Sequence, residues 1–552
     1  MTRYRTSTAR PALTARAGTA GLVAVGISVA CTFAVAVAGP SVMEPALPGQ
    51  PGQPPWSLGL HPSPYLAIGL TAAALAIGAL GTVLALRAAR RGWSLPAWTV
   101  LAGGLLAAAA LTLVPPFGSS DHLSYAAYGR MLVTGHNPYT TTPAQLAALG
   151  DPVARAVQDW RGAPSVYGPL ATAIQALASL AGGTSARLTV FVLGLANLAA
   201  FAGVALLLHR MTRPDPARQL RAALLWTANP LLLQVLVAGA HVDGQAAAFG
   251  VAAVAVMSPV VLPVTSPAMR TATHPLERAT LAGVLVGLGF AVKVTIALVG
   301  LGLALALGYG WWRRRGPWRA LWPPLAALGA GFAVTAGAAL AIGGSAMLRQ
   351  TSQASDMVSI GSPWRVIRSV IHLAVTGTAA ADTVKAGAVV LAVLLAVLLI
   401  RGLTGPGPGS GPDASADPGR DTDPGRYATI AFALALAWLF AWPYVLPWYD
   451  ALGWALLPLA VGGAVEGLGW LLLARTLALG FGYLPARQAG APLPSGLGWL
   501  QPVVRHVLTP AILAVVTVWL VVLMVRSRRA MRPEPPGAGG PADPRAAAAK
   551  AA

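Results

Sequence analysis

The sequence predicts an all-α polytopic membrane protein, and three observations support that fold class. Hydrophobic residues make up 56% of the 552 residues, whereas charged residues make up only 10%. The mean hydropathy of the chain is +0.65. Apolar runs of helical length recur from one end of the chain to the other. Because a soluble domain carries roughly a quarter charged residues, this composition indicates lipid as the surrounding solvent.

Fourteen apolar runs are predicted as helices, which gives a bundle of about 13 to 14 membrane spans. The first run is expected to be a membrane anchor and not a cleaved signal peptide, since it lacks a convincing cleavage site and a second span follows it. The predicted helices cover residues 18–38, 64–86, 96–114, 187–208, 219–237, 243–263, 279–292, 294–310, 320–342, 385–401, 427–446, 450–464, 467–483 and 509–525.

Composition divides the chain into five parts. Residues 1–95 form an N-terminal tail with two spans, and residues 96–403 form the main membrane core. The Gly/Pro/Asp-rich segment 404–426 is predicted to be a disordered cytoplasmic linker. Residues 427–526 supply the C-terminal spans, and residues 527–552 are predicted to be a disordered cytoplasmic tail.

Basic residues predict the orientation of the chain in the membrane. The formal net charge is +21, but the arginines stand in short clusters beside the apolar runs, as at Arg87, Arg90 and Arg91. That pattern sets membrane topology and does not resemble a nucleic-acid groove. Both termini are therefore predicted to be cytoplasmic. The single cysteine, Cys31, excludes an intrachain disulfide.

This orientation predicts one very long outer loop, residues 115–186. Within it, residues 169–182 are apolar enough to be mistaken for a span. If they crossed the membrane, every later loop would change sides. They are predicted to form an interfacial or re-entrant helix on the outer face.

Several polar residues of the outer loops are candidates for a site, and each also has a simpler interpretation. Asp121 follows the membrane end of a helix, which an ordinary helix-terminal carboxylate also does. His241 and Asp243 form either a local hydrogen-bonded pair or ligand contacts. Lys293 breaks the apolar run 279–310, and it either reaches the headgroups or binds an anion. Asn229-Pro230 predicts a helix kink.

Other outer-loop residues extend this group. Arg365 and Arg368 follow Ser362-Pro363-Trp364, while Trp448 and Tyr449 stand in the 446–450 turn. Aromatic residues there fit an interfacial belt or stacking on a sugar ring. Together the candidates place carboxylates, cations and aromatic rings on one face, which favours an enzyme that acts on a lipid-linked anion at the membrane surface. No metal-ligand spacing is evident, so no metal is expected.

A series of short motifs runs through the outer loops. In chain order they are Asp121 to Arg130 (Asp-x-x-x-Tyr-x-x-Tyr-Gly-Arg), Gly135 to Tyr139, Tyr167 to Pro169, Asn229-Pro230-Leu231, His241 to Asp243, Ala291-Val292-Lys293 and Pro447-Trp448-Tyr449. With these motifs in this order, the chain resembles the actinobacterial polyprenyl-phosphate-mannose-dependent α-1,6-mannosyltransferases of the GT-C membrane superfamily, over about residues 100–460. One departure is Val242, where the resemblance implies Asn between His241 and Asp243.

The resemblance implies a GT-C-like catalytic core within residues 96–403 and transfer of a mannosyl residue from a polyprenyl phosphate to a glycan or glycolipid. The reaction would occur on the outer face of the bacterial cytoplasmic membrane, with no cofactor beyond the lipid-linked donor. Asp121 would be the general base of an inverting displacement, and the leaving phosphate would need cations, with Lys293 ranked first. The other implied substrate-binding residues are Arg130, Arg365, Arg368, His241, Asp243, Tyr125, Tyr139, Tyr167, Trp448 and Tyr449.

Two alternatives stay open. A transporter or flippase of polyprenyl-linked sugars would also need a polar path, but it would place ionisable groups near the midplane on repeated halves. A GT-C transferase for another sugar would share the same site. Nucleic acid is not expected among the partners, whereas membrane lipids are.

Overall fold

The computed structural model describes residues 9–258, 275–374, 377–404, 424–485 and 493–530, and over these ranges it is helical, without a named β-strand. The helices pack against one another as a bundle, and four short ones lie in one long connection. In chain order they are α1 (Ala9–Ala38), α2 (Pro64–Arg90), α3 (Ala97–Thr112), α4 (Asp121–Val133), α5 (Pro143–Ala148), α6 (Pro152–Arg155), α7 (Pro169–Gly182), α8 (Ala186–Met211), α9 (Pro216–Leu225), α10 (Pro230–Leu232), α11 (Asp243–Met257), α12 (Pro275–Phe290), α13 (Ala297–Arg314), α14 (Trp318–Ser355), α15 (Pro363–Ile371), α16 (Thr378–Leu403), α17 (Pro424–Ala441), α18 (Ala451–Leu456), α19 (Val465–Gly482) and α20 (Thr509–Ala530).

The described helices confirm the predicted fold class. Within the described residues, nine helical segments are long and apolar enough to cross a membrane, and four shorter apolar helices of 10–17 residues accompany them. One of the nine, Pro216–Ala238, includes both α9 and α10. Three of those four, α3, α11 and α17, match predicted spans. Asn229-Pro230 does break the helix, as predicted. The Asn229 side chain donates to the Leu225 carbonyl at 3.1 Å and accepts from the Leu231 amide at 3.1 Å.

Some predicted boundaries were wrong. The helix predicted over 450–464 ends at Leu456, because Pro458 removes a backbone donor and Gly462 takes a φ of 129°. The predicted tail from residue 527 instead continues α20 to Ala530. The remaining tail, 531–552, and most of the predicted linker, 405–423, lie outside the described residues.

Small residues let neighbouring helices approach closely. A Cβ on Gly283 would lie 2.1 Å from the Leu328 carbonyl oxygen, and one on Gly331 would lie 2.2 Å from the Thr280 carbonyl oxygen. These two glycines therefore join α12 to α14 backbone to backbone. Lipid gives little hydrophobic drive for helix association, so such packing must hold the bundle together.

The connection between α3 and α8 carries helices α4 to α7 as a packed layer. Helix α7 has 14 residues, about 21 Å of helix, which is shorter than the roughly 30 Å hydrocarbon core. It packs against α4 and α8. Gly129 of α4 faces the backbone of α7, where a Cβ would lie 2.1 Å from the Gln175 carbonyl oxygen. This contact fixes the direction in which α4 presents its first residue.

We expect Gly129→Ala to push α4 away from α7, because a backbone carbonyl cannot move aside as a side chain can. The cost should be about 1–3 kcal/mol of unfolding free energy, read as a lower melting temperature in detergent. Gly337→Ala is the matched control, since its Cβ meets nothing within 4 Å on an exposed helix surface. Equal melting temperatures for the two variants would contradict this packing.

Candidate active site

Two backbone contacts bring Asp121 to the end of the bundle. After α3, the chain turns at Pro115-Pro116, and the Phe117 amide then donates to the Ala238 carbonyl at 3.0 Å. The Gly118 amide donates to the Met43 carbonyl at 2.7 Å. Asp121 follows as the first residue of α4, where the helix dipole favours a negative charge.

Asp121 lies among polar groups from separate segments, with its side chain 15% exposed. Its Oδ2 is 3.6 Å from Nδ1 of His241. Its backbone amide donates to Ser119 Oγ at 3.3 Å, and the side chain of Trp160 forms a hydrogen bond with its carboxylate. Trp160 holds a left-handed backbone, with φ of 60°, which is unusual for a bulky residue.

The surroundings of Asp121 raise its pKa to about 7. Burial is the largest cause, and the nearby carboxylate of Asp159 adds to it by charge repulsion. The hydrogen bond from Trp160 and the positive charge of Lys293 act in the opposite direction. A carboxylate with a pKa near neutrality can both accept and release a proton at physiological pH.

His241 is fixed on three sides. Its Nε2 lies 3.2 Å from Ser119 Oγ, its Nδ1 lies 3.4 Å from the Tyr125 hydroxyl, and its ring stacks on Trp448 at 3.6 Å between centroids. The preceding residue, Ala240, has a φ of 53°. Burial lowers the pKa of His241 well below its ordinary value, so the ring is neutral.

Asp243 and Lys293 form an ion pair beside this group. Lys293 Nζ lies 2.5 Å from Asp243 Oδ1 and 3.5 Å from the centre of the Tyr449 ring. Lys293 follows the helix break that the sequence predicted. His241 and Asp243 thus have different partners, and the local pair considered as one alternative does not form.

The three predicted tyrosines contact one another or the loop helices. The Tyr167 hydroxyl donates to the Tyr125 hydroxyl at 3.2 Å, so the first two connect to His241. The Tyr139 hydroxyl lies 3.2 Å from Thr172 Oγ1 of α7. Trp448 is 3% exposed and has one face covered by His241. These rings therefore support His241 or the loop helices, and none of the four is among the residues that line the cavity beside Asp121.

The predicted arginines lie further out. Arg130 pairs with Asp151, at 2.7 Å between Nε and Oδ2, and stands nine residues after Asp121, about 13 Å along α4. Arg365 lies exposed on α15, and Arg368 on the same helix is 3.4 Å from His372 Nε2. None of the three lines the cavity that Asp121 faces.

That cavity has a volume of about 340 Å³. Its lining includes Asp121, Asp159, Trp160, Tyr444, Tyr483 and Arg505. Of these, the sequence reasoning missed Asp159, Trp160, Tyr483 and Arg505. Asp159-Trp160 stands in the long predicted loop, and Arg505 is a charged residue just before the last apolar run, so position gave a signal for both. In the described part of the chain, no group of three His, Cys, Asp or Glu residues is arranged to hold a metal.

Comparison with known proteins gives a family. The sequence model of the alpha-(1→6)-mannopyranosyltransferase N-terminal domain matches residues 15–309. An alpha-(1→6)-mannopyranosyltransferase of Mycobacterium tuberculosis is 34% identical over 136 residues, 24% of this chain and 22% of the relative. A probable alpha-(1→6)-mannopyranosyltransferase of Mycolicibacterium smegmatis is 32% identical over 136 residues, 24% of each chain.

The matched stretch therefore spans about a quarter of the length of these curated relatives. No solved structure matches the chain. Since the family model covers more than half of the 552 residues, and includes Asp121, His241, Asp243 and Lys293, the chain belongs to the alpha-(1→6)-mannopyranosyltransferase family.

Proposed function

We propose that this protein transfers a mannosyl residue from a polyprenyl phosphate to a hydroxyl group of a glycan or glycolipid acceptor. The observation that carries the proposal is the Asp121 carboxylate, whose raised pKa and position on a 340 Å³ cavity suit a general base. Family membership supports the sugar. The volume lies within the range of small-molecule sites, roughly 300–1,000 Å³.

The proposed reaction is a single displacement at the anomeric carbon. The acceptor hydroxyl attacks that carbon while its proton passes to the Asp121 carboxylate. The bond from the anomeric carbon to the phosphate oxygen breaks, and the phosphate leaves with the electron pair. Attack from the opposite face inverts the centre, so a β-linked donor gives an α-linked product. Phosphate is a good leaving group, and the step needs no general acid.

The surrounding groups prepare Asp121 for this role. Asp159 raises the proton affinity of the base, while neutral His241 holds the Asp121 side of the site in place without adding a positive charge. Lys293 limits the rise in the pKa of Asp121. Because Lys293 is itself paired with Asp243, its proposed role is to act on the base through its charge.

We further propose that the site faces the outside of the bacterial cytoplasmic membrane. The helix ends opposite Asp121 carry the basic clusters, as at Arg87 and Arg90 of α2 and at Arg313 and Arg314 of α13. Basic residues concentrate on the cytoplasmic side of membrane proteins. This distribution supports an outer site and cytoplasmic termini.

We expect Asp121→Asn to lower kcat by roughly 10²- to 10⁴-fold, because an amide cannot accept the acceptor's proton. The assay uses purified protein in detergent with radiolabelled polyprenyl phosphate mannose and an oligomannoside acceptor. Asp382→Asn, on an exposed helix surface, is the matched control.

Transfer in detergent also separates this function from transport, since detergent offers no second compartment. Near wild-type transfer by Asp121→Asn would remove Asp121 from the mechanism. No transfer by the wild-type protein with any polyprenyl phosphate sugar would favour the transporter.

The acid limb of the rate profile should report the pKa of Asp121. The base works only when ionised, so kcat/KM should rise with unit slope up to about pH 7 and then level off. Asp159→Asn removes a negative charge that raises this pKa, so its acid limb should move to lower pH. If the acid limb of Asp159→Asn lies at the same pH as that of Asp382→Asn, the charge of Asp159 does not raise the pKa of Asp121.

A further inference from the structure

The cavity beside Asp121 has both polar and apolar residues in its lining. Asp121, Asp159 and Trp160 are among the polar ones. Met357, Val358, Ile360, Val445, Leu446 and Leu479 are the apolar ones. Such a lining suits a ligand that combines a polar head with a hydrocarbon tail. At about 340 Å³ the cavity suits a sugar phosphate and the start of a tail, and a long tail would have to continue into the lipid.

Arg505 is the cation in the lining of this cavity. Its Nε donates to the Gly482 carbonyl at 2.5 Å, and its Nη2 donates to the Pro485 carbonyl at 3.3 Å. The guanidinium also lies 5.2 Å from the centre of the Tyr483 ring. These contacts fix the orientation of a group that presents several donors in one plane, which is the arrangement that binds phosphate oxygens.

Arg505 differs in its partners from three other buried or half-buried cations that stand near the proposed site or deep in the bundle. Lys293 pairs with Asp243, Arg130 with Asp151, and Arg475 with Asp450, each at 2.9 Å or less. Among the described residues, the side-chain hydrogen bonds of Arg505 go to backbone carbonyls, and the negative charge of Asp159 in the same lining acts on its guanidinium. The guanidinium therefore keeps donors that can meet an anion entering the cavity.

We propose that Arg505 binds the phosphate of the lipid-linked donor, with the sugar toward Asp121 and Asp159 and the isoprenoid tail against the apolar lining residues. This proposal rests on the proposed function, and it adds a residue outside the stretch that the family model covers. As the bond to the anomeric carbon breaks, the phosphodiester monoanion becomes a phosphomonoester dianion. Arg505 stabilises that second negative charge, and Lys293 need not leave Asp243 to do so.

The test measures binding of farnesyl phosphate and of farnesol to the purified chain in detergent. Both probes carry the same short isoprenoid, and only one carries phosphate. We expect Arg505→Gln to weaken farnesyl phosphate binding by roughly 10- to 100-fold, the range for losing charged hydrogen bonds, and to leave farnesol binding unchanged. The affinity of Arg505→Lys for farnesyl phosphate should lie between those of Arg505→Gln and wild type. Arg349→Gln, on an exposed helix surface, should bind both probes like wild type.

A second measurement uses the unaltered protein, in case Arg505→Gln disturbs the carbonyls of Gly482 and Pro485. Farnesyl phosphate, but not farnesol, should protect Arg505 from the arginine reagent phenylglyoxal, as read by mass spectrometry of its peptide. Unchanged affinity in an Arg505→Gln variant that still binds farnesol, or absence of protection in the wild type, would overturn the proposal.

The two proposals fail separately. A wild-type protein that transfers no sugar, yet binds farnesyl phosphate through Arg505, would refute the transferase function and keep the phosphate site. A protein that transfers mannose, yet binds farnesyl phosphate equally well in Arg505→Gln and wild type, would refute the phosphate site and keep the transferase function.

Discussion

The contact between the Asp121 carboxylate and the neutral ring of His241 joins three distant parts of the chain. Asp121 belongs to the layer of short helices between α3 and α8, and His241 to the turn before α11. His241 in turn stacks on Trp448, which precedes α18. This chain of contacts sets the loop layer over the bundle. The Phe117 amide, four residues before Asp121, also donates to the Ala238 carbonyl of the bundle. Two separate contacts therefore hold Asp121 in position.

Charge pairing decides which ionisable groups remain available for chemistry. A buried charge is costly unless it is paired, and most of those described here have a partner. Asp450 meets Arg475 at 2.9 Å and Thr476 at 2.7 Å, deep in the bundle. Lys293 meets Asp243. At the cavity, the negative charge of Asp159 acts on the Asp121 carboxylate, and the Arg505 guanidinium lines the same space. A substrate with a proton to lose and a phosphate to bind would meet both kinds of group there.

Local chemistry explains which features the sequence could predict. Pro115-Pro116 ends an apolar run and so places Asp121 at a helix end, and Lys293 interrupts a run too long for one span. In both cases, the residues that give the signal stand within a few residues of the helix end or helix break that they predict. Pro458 was present in the predicted helix 450–464, but the apolar composition around it outweighed the breaker. That error misplaces one helix boundary. It leaves the predicted fold class unchanged, because the fold class follows from the composition.

Tertiary packing explains what the sequence could not predict. Asp159, Trp160 and Arg505 reach one cavity only when the loop layer and the last two long helices come together. The prediction for Trp448, in an aromatic belt or against a sugar, did not include the His241 ring on which it stacks. The prediction that Arg130 serves the phosphate did not include its ion pair with Asp151. A residue type indicates what a side chain can do, but the fold decides which partner it has.

The most direct measurement is a structure of the protein bound to a non-transferable phosphonate analogue of polyprenyl phosphate mannose. We expect the mannose ring in the cavity beside Asp159 and Trp160, with room for one hydroxyl between the Asp121 carboxylate and the anomeric carbon. The phosphonate should lie on the opposite side of that carbon. A sugar bound away from Asp121, or a phosphonate on the same side as its carboxylate, would contradict the role of Asp121 as the base of an inverting transfer.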